Sequence, residues 1–94
     1  MEYVKINEKE YQIVKNIKEG FDLEEVKRKL TDYFEEYDYI VGDWAYNKLR
    51  LKGFYDESNK KVKEINNISF LESYLAKNCA FGCRYFLLKR VYKK

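Results

Sequence analysis

The stretch from Tyr37 to Tyr55, YDYIVGDWAYNKLRLKGFY, constrains the fold more than any other part of this chain. Tyr39-Ile40-Val41 is strand-like, and Lys48-Leu49-Arg50-Leu51-Lys52 alternates strictly between polar and apolar residues. That period of two is what a half-buried β-strand demands. Trp44-Ala45-Tyr46-Asn47 connects the two halves, so the segment reads as a β-hairpin. Gly42 inside the first strand marks a bulge or a close approach of another group to the backbone.

The hairpin does not fold alone, and its surroundings can be read outwards from it. Tyr3-Val4-Lys5-Ile6 and Tyr11-Gln12-Ile13-Val14-Lys15 flank a polar turn and form a first hairpin. Asp22 is a good helix N-cap, and Glu25 three residues on completes a capping box. Phe21 and Val26 stand at the staple positions. Leu23, Val26, Leu30, Tyr33, Phe34 and Tyr37 then share one helical face, which predicts a helix over Leu23 to Glu36. After the turn residues Asp56 to Asn59, a short third strand is expected over Lys61 to Ile65. Ser69 and Glu72 form a second capping box ahead of Phe70, Leu71, Tyr74, Leu75 and Cys79. Arg84 to Tyr92 reads as the last strand. Its middle, Tyr85 to Leu88, is apolar on both faces, as a central strand would be.

The resulting order is ββαβββαβ, an α+β domain spanning residues 1–94. A mostly antiparallel or mixed sheet with two helices packed on one face is expected. Ninety-four residues suffice for one domain of this kind and not for two. No N-terminal targeting signal and no membrane-spanning run is present, which predicts a cytoplasmic protein. Two cysteines are too few for a secreted disulfide scaffold.

The chain has no histidine, which removes the commonest general acid–base group and metal ligand. No phosphate-binding glycine loop is present. Asp38 and Asp43 lie five residues apart, on opposite sides of a regular strand, so a paired-carboxylate site is disfavoured. Cys79 and Cys83 supply half of a tetrahedral zinc site, with no other Cys or His to complete it. They are weak candidates for a metal-linked or redox role, and more simply small buried hydrophobes. No cofactor is expected, and the balance leans away from an enzyme.

One constellation stands above ordinary surface. On a regular strand, Tyr46, Lys48, Arg50, Lys52 and Phe54 point to one face while Leu49 and Leu51 point to the core. Cations meet phosphates and rings stack on bases, so this face, bordered by Asp43 and Trp44, is a candidate contact for RNA or another polyanion. Residues Ser73 to Lys94 hold six basic side chains and no acid, while the preceding segment has 13 basic and 16 acidic residues. Solubilising charge and protection of a strand edge account for the same pattern. The tyrosine-rich composition offers a second reading, a protein-interaction module or homodimer.

The blocks YDYIVGDW, RLKGFY and CAFGCRYFLLK resemble the YutD-like family of uncharacterised bacterial proteins, found mainly in Gram-positive Firmicutes. The similarity runs from the first hairpin to Lys89. Ala45 and Asn47 stand where family members tend to carry glycines. The resemblance implies a small cytoplasmic α+β domain and brings with it no activity, cofactor or catalytic residue.

Overall fold

Five strands and two helices account for most of the chain in the computed structural model, which describes residues 2–45, 47–78 and 84–92. β1 (Glu2–Ile6) and β2 (Lys9–Ile17) form the first hairpin. Its turn places Asn7 and Glu8 at φ 53° and 67°, the doubly positive pair that matches the twist of a two-residue hairpin. α1 (Leu23–Lys29) follows, capped by Asp22, whose carboxylate accepts the Glu25 amide at 3.2 Å. β3 (Tyr39–Ala45) and β4 (Lys48–Phe54) form the central hairpin, with Ala45 opposite Lys48 and Asn47 in the left-handed region at φ 63°. α2 (Leu71–Asn78) and β5 (Tyr85–Val91) complete the chain.

All strand pairs are antiparallel, in the order β1-β2-β5-β3-β4. β5 inserts between the two hairpins, as its doubly apolar middle requires. Phe86 and Leu88 enter the core on one side, and Leu87 enters the core on the other.

Three expectations change. The helices do not share a face. Val26 and Leu30 of α1 pack with Ile6, Tyr11, Ile40, Leu49, Phe86 and Leu88, whereas Leu71, Tyr74 and Leu75 of α2 pack with Val41, Phe54 and Leu87. A strand that is apolar on both faces needs cover on both, so one helix goes to each. The third strand over Lys61 to Ile65 is absent. Short-range bonds take its donors instead, with the Lys61 amide on Asn59 and the Lys63 amide on Asn66. A one-turn 3-10 helix follows at Glu64–Asn66, so the order is ββαββαβ. Finally, α1 stops at Lys29. Leu30 turns extended (φ −78°, ψ 108°), and its carbonyl accepts from the Asn7 side chain at 3.0 Å. A 3-10 turn, Asp32–Phe34, carries the rest of the apolar face.

Ser69 does not cap α2 in the expected way. Asn67 accepts the Ser69 amide at 2.9 Å and opens a 3-10 turn that leads into the helix. Among the described residues, no helix is long and apolar enough to cross a membrane.

Candidate functional site

The alternation expected of β4 holds, and it sends Lys48, Arg50, Lys52 and Phe54 to the α2 side of the sheet. Phe54 is fully buried, with its ring edge-on to Tyr74 of α2 at 5.6 Å between centroids. Lys52 is half-buried, its ammonium 5.5 Å from the centre of the Phe54 ring. Arg50 reaches across the hairpin to its pairing partner Asp43, 2.5 Å from Oδ2. Asp43 is completely buried, and Arg50 keeps 44% of its side chain in water. Lys48 is exposed beside the turn. Tyr46, Cys79 and Cys83 lie outside the described residues.

The expected aromatic-basic-aromatic platform is therefore not an open one at its Phe54 end. α2 covers that ring, and Asp43 offsets the charge of Arg50. Burial raises the pKa of Tyr74, and the Asp43 carboxylate nearby adds to the effect.

Trp44 belongs to the opposite face. Its indole N–H donates to the Gly20 carbonyl at 2.7 Å, tying the hairpin to the turn before α1. The Arg84 guanidinium lies 4.4 Å from the centre of its ring and donates to the Glu19 carbonyl. Gly42 needs no bulge, since pairing runs unbroken from Tyr39 to Ala45. The Phe86 ring lies directly over it. Gly42, Asp43 and Trp44 thus each hold a different junction of the fold.

Asp38, at the entrance to β3, collects three donors. Its Oδ2 accepts from the Asp56 amide at 2.8 Å and the Asn59 side chain at 3.0 Å, and its Oδ1 accepts from the Tyr92 hydroxyl at 2.8 Å. Burial, then the Asp38 hydrogen bond and charge, push the Tyr92 pKa up to about 12. A cleft of about 340 Å³ opens here between Asp38, Asp56, Lys89 and Arg90. The Asp38 carboxylate is occupied in fixing the loop after β4, so this cleft reads first as a loop anchor.

The edge of the sheet at β4 is the feature that sequence reasoning missed. β4 ends the strand order, so only β3 pairs with it along its length. At Tyr55, just past the strand, the outward backbone groups are used. The Tyr55 amide donates to Asn66 at 2.7 Å, and its carbonyl accepts from Ile68 at 2.9 Å. The Phe54 carbonyl points inward to Asp38. Backbone direction alternates along a strand. Gly53, Leu51 and Leu49 therefore present their amides and carbonyls outward, and no turn, loop or cap backbone bond among the described residues reaches them. Beside this edge lies a cleft of about 360 Å³, lined by Lys29, Phe34, Leu49, Arg50 and Leu51. Leu49 and Leu51 were legible as inward-facing. The cleft was not, because it exists only where α1 stops short and Phe34 sits on a separate turn.

Known proteins align with this fold. The family model described as "Putative antitoxin YutD-like" matches residues 5–89. The chain is 48% identical over 88 residues to "Putative antitoxin YutD" of Bacillus subtilis (strain 168), covering 94% of this chain and 97% of that protein. It is also similar to the solution NMR structure of protein yutD from B. subtilis. The TM-score there is 0.82 at 45% identity, covering 99% of this chain and 84% of that one.

Proposed function

This chain belongs to the YutD-like family, and from that membership we propose that it is a non-enzymatic cytoplasmic binding module whose partner is a protein. The observation that carries this reading is the unpaired edge of β4 with its adjoining apolar cleft. A strand edge with free backbone groups and side-chain pockets beside it is a common way to hold another polypeptide. The antitoxin description of the relative is in keeping with it, since restraint of another molecule by binding needs a surface of this kind.

The test is reciprocal capture. The tagged chain, expressed in its bacterial host, retains a protein that in turn retains the untagged chain and co-elutes with it in a defined ratio. Co-expression of the two relieves any growth defect caused by the captured protein alone. A chain that retains no protein and scatters light as a strict monomer at high concentration overturns the reading.

RNA or another polyanion is the second reading. Its support is that exposed Lys48 and Lys89, with half-buried Lys52, lie on one sheet face, where Lys52 and Lys89 stand over the rings of Phe54 and Tyr39. Saturable RNA binding that falls steeply with salt favours this reading over the first.

A further inference from the structure

We propose that β4 takes its partner by strand addition, and that the segment added is an extended one alternating acidic and apolar side chains. The proposal rests on the protein-binding reading and specifies its geometry and chemistry.

The geometry follows from the alternation along β4. A new strand laid beside Gly53, Leu51 and Leu49 meets their outward amides and carbonyls. Its own side chains alternate between the two faces of the sheet. On the α1 side they face Leu51 and the cleft floored by Leu49 and Phe34. Leu51 and Phe34 are both half-buried, so apolar residues at these positions remove their remaining surface from water. On the α2 side the added side chains face Lys48, Arg50 and Lys52. Asp43 offsets one of these three charges, which leaves a net positive rim. Opposite charges across neighbouring strands stabilise and like charges destabilise.

The same rim decides against a second copy of this chain as the occupant. Two β4 strands side by side bring KLRLK against KLRLK, and cation faces cation along the pair. The charge pattern closes the edge to itself and leaves it open to an acidic strand.

The experiment uses the full chain, isotopically labelled, and a short synthetic peptide of alternating valine and glutamate, with a valine–lysine peptide as control. The expected result is saturable binding of the glutamate peptide, with the largest amide shifts at Leu49, Leu51 and Gly53. The lysine peptide does not bind. Exchanging the two lysines for acids (Lys48→Glu with Lys52→Glu) weakens the glutamate peptide roughly tenfold or more and lets the lysine peptide bind. Leu51→Pro, which removes an outward amide that no internal pairing uses, abolishes binding of both. Should Leu51→Pro fail to fold, the charge-reversed variant carries the test alone. No saturable binding, shifts confined to another surface, or equal affinity in the charge-reversed variant overturns the proposal. A protein partner captured equally by wild type and by the charge-reversed variant also overturns it, and leaves the protein-binding reading standing.

Discussion

The ring of Phe86 fills the space that a side chain on Gly42 would occupy. The two residues are cross-strand partners at the centre of the sheet, and Phe86 also meets Phe21 edge-on at 5.3 Å. Gly42 is a seat for a core ring, and the penalty that glycine carries within a strand is offset by the close packing it allows.

Gly42→Ala is expected to destabilise the protein by about 1 to 3 kcal/mol, the usual cost of overpacking a filled core. Urea unfolding followed by Trp44 fluorescence measures it. Phe86→Leu also destabilises when made alone. Combined with Gly42→Ala it recovers part of the loss, because the smaller side chain vacates the volume the new methyl needs. Strictly additive effects would show that the two residues do not share this space.

Asp43 and Arg50 supply the second prediction. Removing Arg50 leaves a buried carboxylate without its cation, which in fully buried pairs costs about 3 to 5 kcal/mol. Arg50 is nearly half exposed, so the expected loss for Arg50→Met is smaller, about 1 to 3 kcal/mol, after discounting for solvent screening. Asp43→Leu in the Arg50→Met background returns part of that stability, since the charge that had no partner is gone. A double-mutant cycle in urea reads the coupling.

Alkali gives the third. The hydrogen bond from Tyr33 and then burial push the Tyr37 pKa up to about 12. Tyr92 is raised to about 12 by burial and by Asp38. Tyr55 is raised by burial and then by its 2.5 Å bond to Glu36. Each folded-state value lies above the unfolded value of about 10, so the folded chain holds protons that the unfolded chain releases. The stability these groups contribute is complete below about pH 10 and is lost as pH rises from there towards 12. The urea midpoint is expected to be level on the neutral side and to fall steeply across that window. Tyr37→Phe flattens the fall. An unchanged slope in that variant would remove Tyr37 from the explanation.

Legibility from sequence followed the range of the interactions. Period-two alternation placed Leu49 in the core and Lys48, Arg50, Lys52 and Phe54 on one face. The capping pattern placed Asp22, and the doubly apolar run placed β5 at the centre of the sheet. These signals are local. The helix end at Lys29 was not legible, because Leu30 is held extended where Asn7, distant in sequence, takes its carbonyl. Nor was the burial of Phe54, since alternation fixes which residues share a face without saying which helix will cover it. The strand expected over Lys61 to Ile65 failed for the opposite reason. Asn59 and Asn66 satisfy its backbone locally, so it has no need of a partner strand. The β4 edge depends on both the helix end and the missing strand, and it emerges only when the whole sheet is assembled.

Amide hydrogen exchange at Leu49 and Leu51 tests the docking edge most directly. In the free protein their amides are expected to exchange much faster than those of Arg50 and Lys52, which point towards β3. Saturating valine–glutamate peptide should slow Leu49 and Leu51 to the rate of their neighbours. Amides of Leu49 and Leu51 that are already as protected as Arg50 and Lys52, or that stay fast with the peptide bound, would contradict strand addition at β4.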